Sequence, residues 1–105
     1  MDIDINKMQQ MLAQARDMQS QMDERLAATI VEADSGGGAV TVRMSGKKEV
    51  LKLTIAPAAA VAADGDLTML EDLIVATVNA ASRKADDAQK AATSSLLGGM
   101  NLPGV

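Results

Sequence analysis

The chain has 105 residues, a formal net charge of -4 at pH 7, and no His, Cys, Phe, Tyr or Trp. Without His and Cys, the usual zinc ligands, imidazole bases, thiol nucleophiles and disulfides are excluded. A core without aromatic side chains buries less area per residue, so we expect one domain that pairs with a second copy to cover its apolar surface.

The first predicted element is a long amphipathic helix over residues 3–28. Its apolar stripe consists of side chains three and four residues apart: Met8, Met11, Ala15, Met18 and Met22. Such a near-heptad seam is typical of a helix that packs along another helix. At 1.5 Å per residue the helix would be about 39 Å long, more than a small globule needs. The stripe indicates either ordinary packing or an adaptable surface for a partner, for which Met is suited.

Three segments of alternating apolar and polar residues follow, at 29–34, 39–45 and 49–55. They are separated by two Gly-containing turns, SGGG at 35–38 and GKK at 46–48. The pattern predicts a three-stranded antiparallel meander with one covered apolar face and one polar face. The SGGG run could alternatively hold a phosphate, but a strand follows it where a phosphate loop requires a helix and a Lys.

The rest of the chain is predicted to be a connector, a second long helix and a tail. Residues 56–66 form the small-residue connector, with Pro57 and Gly65 as breakers. Thr68 and Glu71 have the spacing of a capping box, which marks a helix start. Seven apolar side chains at helical spacing then lead toward Leu97: Leu70, Leu73, Ile74, Val78, Ala81, Ala85 and Ala88. The Ala-rich part of this face favours close packing on a partner or projection into solvent.

This order of elements predicts an α+β fold with an α-β-β-β-α protomer, in which two long helices flank a three-stranded antiparallel meander. A single domain is expected over residues 1–97. The closing GGMNLPGV, residues 98–105, is expected to end the helix and form a flexible C-terminal tail.

Adjacent acidic residues on the predicted helices could suggest a catalytic or magnesium site. They are Asp23 and Glu24, Glu71 and Asp72, and Asp86 and Asp87. Neighbours on a helix point about 100° apart, so the carboxylates of a pair do not converge, and a solvated surface is the simpler interpretation. With no nucleophile–base pair either, we expect no enzyme, no cofactor, no metal and no small-molecule substrate.

The apolar segments bear on location. No segment reaches the roughly 20 apolar residues of a membrane span. Residues 1–25 contain no continuous apolar run of the kind found in a signal peptide. We therefore expect a cytoplasmic protein without a membrane partner.

Charge is unevenly distributed despite the acidic total. Residues 35–56 carry four bases against one acid, and the segments on either side are net acidic. The Debye length is about 8 Å at physiological salt, so DNA senses a local basic patch more than the net charge. The four bases are Arg43, Lys47, Lys48 and Lys52. The three lysines could equally be edge residues that discourage sheet aggregation. Without aromatic stacking platforms, DNA binding would depend on phosphate contacts and DNA shape.

Three stretches resemble the YbaB/EbfC family of nucleoid-associated proteins. They are INKMQQMLAQARDMQ at 5–19, MLEDLIVATVNAASRKA at 69–85 and GGMNLPGV at 98–105. SGGGAVTVRMSGK at 35–47 also looks like the hairpin of this family. The resemblance implies an α-β-β-β-α protomer and a homodimer with protruding helices. It also implies double-stranded DNA as partner, little sequence specificity, and a location in the cytoplasm at the nucleoid.

If DNA is the partner, we expect phosphate contacts from the bases on the two long helices: Lys7, Arg16, Arg25, Arg83, Lys84 and Lys90. The bases of the hairpin region, Arg43, Lys47, Lys48 and Lys52, are secondary candidates. The leading hypothesis is a homodimer that coats or bends the duplex with low specificity. A second hypothesis is a protein–protein adaptor that uses its Met-rich first helix and does not bind DNA.

Overall fold

The computed structural model describes residues 4–98, with side chains described up to residue 95. The elements follow in the order α1 (Ile5–Ala28), β1 (Ile30–Ser35), β2 (Val40–Ser45), β3 (Val50–Ile55), α2 (Pro57–Ala63) and α3 (Thr68–Gly98). The predicted α+β class and α-β-β-β-α order are confirmed, with α2 as an addition. The predicted tail at 98–105 lies outside the described residues, apart from Gly98 at the end of α3.

The predicted connector contains a short helix, α2. Its sequence PAAAVAA is mostly Ala, the residue with the highest helix propensity. Pro57 occupies the first turn, where its missing N–H costs no helical hydrogen bond. The helix ends at Asp64, which has a left-handed backbone with φ 46°. Pro57 is therefore a helix start here and not the breaker that the sequence predicts.

The start of α3 is capped differently from the predicted Thr68–Glu71 box. The carboxylate of Asp66 accepts the backbone N–H of Thr68 at 3.0 Å, and the C=O of Leu67 accepts that of Glu71 at 2.9 Å. The hydrogen bonds from the backbone and side chain of Thr68 lower the pKa of Asp66 from its usual value. The helix is therefore capped by an anion two residues before Thr68, where the helix dipole favours negative charge.

The sheet is an antiparallel meander in the order β1-β2-β3, as predicted. α3 crosses one face and packs mainly on β1 and β2. Val42 and Met44 of β2 are buried against Ala81 and Ala85 of α3, and Ala33 of β1 completes the cluster. The alanines allow α3 to lie close to the strands, which explains why its face carries such small side chains.

The SGGG turn lies at the other end of β2 from the GKK turn. Gly36 has φ 65°, a left-handed conformation that glycine adopts without steric cost. A Cβ at this position would also lie 3.0 Å from a methyl carbon of Leu73 on α3. The run therefore serves as a tight turn against α3, in agreement with the hairpin interpretation.

The apolar face of β3 is uncovered in the protomer, so the prediction of a fully covered face is wrong for this strand. Leu53 pairs with Val42 and Ile55 pairs with Val40, which places both on the face that α3 crosses. α3 covers only β1 and β2, and Leu51, Leu53 and Ile55 remain 52%, 38% and 37% exposed. One helix is too narrow to cover three strands about 4.8 Å apart.

α1 leaves the sheet as an arm. Leu26 is the only buried residue of this helix, and Met8, Met11 and Met18 of the apolar stripe are exposed. The molecule measures 73 × 28 × 19 Å. α1 therefore projects from the protomer, in agreement with a predicted length that exceeds what a small globule needs.

Candidate nucleic-acid interface

The three bases of α1 are exposed and widely spaced. Lys7, Arg16 and Arg25 follow one another at intervals of nine residues, which is two and a half helical turns. Lys7 and Arg25 therefore point the same way, about 27 Å apart, while Arg16 points to the opposite side. One straight DNA backbone cannot contact all three. α1 therefore presents to it either the pair Lys7 and Arg25, or Arg16 alone.

The bases of α3 differ in what holds them. The Nζ of Lys84 donates to the backbone C=O of Glu32 on β1 at 2.6 Å, which ties this side chain to the sheet edge. Arg83 and Lys90 are exposed. They are seven residues apart, so they point within about 20° of each other and lie about 10 Å apart along the helix. α3 thus presents a pair of cations on one face, with Lys84 beside them as a packing contact.

Two of the secondary candidates are engaged with acidic side chains. The Nζ of Lys48 lies 2.8 Å from Oδ1 of Asp86 on α3, and the Nε of Arg43 lies 3.8 Å from Oε2 of Glu32. Within residues 4–95, the structure shows no ion pair for Lys47 or Lys52.

The polar face of the sheet carries balanced charge. Arg43 stands opposite Glu32 on β1 and opposite Lys52 on β3, so these three side chains form one row on the face away from α3. Asp34 occupies the next polar position along β1, opposite Thr41. Two bases and two acids therefore balance on this surface. On α3, Asp86 and Asp87 lie between Arg83 and Lys90, but Asp86 is paired with Lys48.

Gly46 joins α1, the GKK turn and α3. Its N–H donates to the C=O groups of both Leu26 and Thr29 at 2.9 Å, and its own C=O accepts the side-chain amide of Gln89 at 2.7 Å. Arg25, Lys47 and Lys90 each neighbour a residue of this contact in the sequence. We call these three bases the basic junction. Lys7 and Arg16 lie away from it along α1, and Arg83 lies two turns before Lys90.

Three residues that organise this end of the molecule carry no recognisable signal in the sequence. Gln89 is one polar residue among many on a helix surface, and Gly46 is recognisable only as a turn residue. The hydroxyl of Ser45, buried on β2, accepts the backbone N–H groups of Lys47 at 3.2 Å and Glu49 at 3.3 Å. These contacts join residues 17 to 43 positions apart or depend on a turn geometry, which periodicity does not reveal.

The arrangement offers cations and hydrogen-bond donors. In the described part of the chain, no group of three or more acidic residues is placed to hold a metal ion.

A cavity of about 630 Å³ lies at the opposite end of β2 from the junction, among the SGGG turn, α2 and the start of α3. Ala59, Ala62, Met69 and Leu73 are among its lining residues, and its acid, Asp66, already accepts a hydrogen bond from Thr68. None of the described helices is long and apolar enough to cross a membrane.

Comparisons with known proteins give the family and the fold that this chain is similar to. The model of the YbaB/EbfC DNA-binding family matches residues 5–100. A nucleoid-associated protein of Acidobacterium capsulatum is 61% identical over 100 residues, which cover 92% of this chain and 93% of that protein. A nucleoid-associated protein of Koribacter versatilis is 42% identical over 95 residues, 90% of this chain and 92% of that protein. The crystal structure of an uncharacterized Helicobacter pylori protein shares the fold, with a TM-score of 0.74 at 22% identity, over 91% of this chain and 99% of that chain.

Proposed function

The chain belongs to the YbaB/EbfC DNA-binding family, and from this premise we propose that it binds double-stranded DNA as a homodimer with little sequence specificity. Its relatives are named nucleoid-associated proteins, so its role is that of a nucleoid-associated, DNA-binding protein and not of an enzyme. We infer a location at the nucleoid, and hence in the cytoplasm.

The observation that carries the proposal is the exposed pair Arg83 and Lys90 on one face of α3, of which Lys90 belongs to the basic junction. Arg can bind a phosphate through two N–H groups, whereas Lys acts as a point charge, and both bind without regard to base sequence. The chain has no aromatic residue to stack on bases. Phosphate contacts therefore supply the affinity, and low specificity follows.

The homodimer rests on apolar surface that the protomer leaves open. Leu51, Leu53 and Ile55 form an exposed apolar strip on β3, and the Met stripe of α1 adds a second. Contiguous apolar surface of this kind marks an interaction site on a soluble protein. A second copy related by a two-fold axis would cover the strip and double each basic residue, which gives the duplex two sets of contacts.

The test uses duplex DNA and two charge-matched variants. Arg83→Gln with Lys90→Gln removes the α3 pair, while Arg43→Gln with Lys52→Gln removes the same charge from the balanced sheet face. Fluorescence anisotropy should show a large loss of affinity for the first variant and near wild-type affinity for the second. Two unrelated duplexes of equal length should bind the wild type about equally. Equal losses in both variants would show that only net charge matters, and would contradict the assignment.

The exposed Met8, Met11 and Met18 also favour a second candidate, a protein–protein adaptor that docks a partner helix on α1. Pull-down from lysate with and without nuclease separates the two functions. Partners that are lost on nuclease treatment support DNA binding, and partners that are retained support the adaptor.

A further inference from the structure

We propose that Gly46 and Gln89 are positioning residues for DNA binding. They set the direction in which α1 leaves the sheet, and so the distance between the bases of α1 and those of α3. The proposal rests on the DNA-binding function proposed above, and it assigns a role in that function to two uncharged residues.

The contacts of Gly46 are the main attachment of the α1 arm. Its N–H is shared between two C=O groups. One belongs to Leu26, the buried residue of the arm, and the other to Thr29, the first residue after α1. Apart from the buried Leu26, α1 is largely exposed, and it makes few contacts with α3 and β2, so this anchor carries much of what holds its direction. The direction of a helix anchored at one end depends on the geometry of that anchor.

A glycine is needed at position 46 because the chains approach closely. A Cβ there would lie 2.8 Å from the backbone oxygen of Leu26, 3.3 Å from its Cα and 3.2 Å from one of its methyl carbons. The backbone of Gly46 is outside the left-handed region, so Ala would meet no conformational strain at this position. Its methyl group would act only by pushing the end of α1 away.

α3 holds the other side of the same turn. The side-chain amide of Gln89 donates to the C=O of Gly46 at 2.7 Å, and the carboxylate of Asp86 pairs with Lys48 at 2.8 Å. The turn therefore connects α3 to α1 through a continuous set of short contacts. If Gln89 loses its donor, the turn keeps only the Lys48–Asp86 pair of these two contacts, and the turn and the base of α1 can shift relative to α3.

Small changes at this anchor become large at the tip of the arm. Leu26 and Ile5 are separated by about 32 Å of helix, so a tilt of about 10° moves the tip by about 6 Å. Lys7 and Arg16 would move by different amounts, while Arg25 beside the anchor would stay nearly in place. The spacing between cations would then no longer suit the phosphates, although every base is still present.

The test combines distance measurement with DNA binding. The chain has no Cys, so a double variant with Gln10→Cys and Asn79→Cys carries one spin label on α1 and one on α3. The distance between the two labels reports the separation of the helices. An excess of unlabelled chain ensures that only distances within one protomer are measured. Gly46→Ala should shift this distance by several ångström, and Gln89→Leu should broaden its distribution. Both should weaken duplex binding by roughly three- to tenfold, as expected from the loss of one or two phosphate contacts.

Gly65→Ala is the matched control. Gly65 has φ 87° and nothing within 4 Å of an added Cβ, so Ala there strains the backbone without displacing α1. This variant should lose stability and keep both the distance and the DNA affinity. Unchanged distances in Gly46→Ala and Gln89→Leu, or shifted distances with full DNA affinity, would overturn the positioning role. Failure of the wild type to bind DNA would instead overturn the proposed function. If Gly46→Ala does not fold, Gln89→Leu decides alone.

Discussion

At the scale of single residues, the bases of this protein differ in what already holds them. Lys84, Lys48 and Arg43 are engaged by a backbone C=O, by Asp86 and by Glu32, respectively. Arg83 and Lys90 are exposed on one face of α3. The sequence identifies all of these bases as candidates but cannot rank them, because the ranking depends on partners 38 to 52 residues away or across a strand pair.

The buried hydroxyl of Ser45 gives a prediction for stability. Ser45→Ala leaves the N–H groups of Lys47 and Glu49 without their acceptor, so the free energy of unfolding should fall by about 1–2 kcal/mol in urea denaturation. Ser94→Ala, on the exposed surface of α3, should change it little. Equal effects of the two substitutions would show that the hydroxyl does not organise the turn.

The carboxylate that caps α3 gives a prediction for pH dependence. Because the folded state lowers the pKa of Asp66, the charged carboxylate stabilises the fold above its usual pKa of 3.8, and this contribution is lost as the pH falls through the lowered value. Asp66→Ala should therefore lower the Tm at pH 7, and the difference from the wild type should shrink below about pH 3.8. Asp17→Ala in the middle of α1 serves as control. A difference that does not change with pH would contradict an ionic cap.

At the scale of elements, the sequence predicts the helices and strands whose hydrophobic periodicity is clear. The period of α1, the alternation in β2 and the face of α3 all agree with the structure. The sequence predicts a connector in place of α2 because Pro57 also marks loops. It does not predict the uncovered face of β3, because that exposure depends on how far one helix reaches across a sheet. The basic junction depends on Gly46 and Gln89, whose mutual hydrogen bond has no sequence signature.

The open strip on β3 predicts the oligomeric state. Leu53→Asp places a charge on this strip and should convert the expected dimer into a monomer, because a buried carboxylate without a partner is costly. Light scattering should then give about half of the wild-type mass. Thr54→Asp, on the opposite face of the same strand, should remain dimeric. A dimer in both variants would show that β3 is not part of the interface.

At the scale of the whole molecule, an acidic protein is proposed to bind an acidic polymer. The net charge of -4 opposes approach to DNA, but the charge is distributed over a molecule 73 Å long, several times the Debye length of about 8 Å at physiological salt. DNA near the basic junction is therefore screened from acids at the far end. Two-fold assembly would present two such regions to one duplex.

The central claim is tested most directly by the salt dependence of wild-type binding to a duplex. If cations of a dimer replace counterions on phosphates, log K should fall linearly with log salt concentration, with a slope of about -0.9 for each phosphate contacted. Arg83 and Lys90 of both protomers would make four contacts, which predict a slope of about -3.6 or steeper. The slope of the Arg83→Gln, Lys90→Gln variant should be shallower by about 3.6. Affinity that does not respond to salt, or no binding even at low salt, would contradict the account.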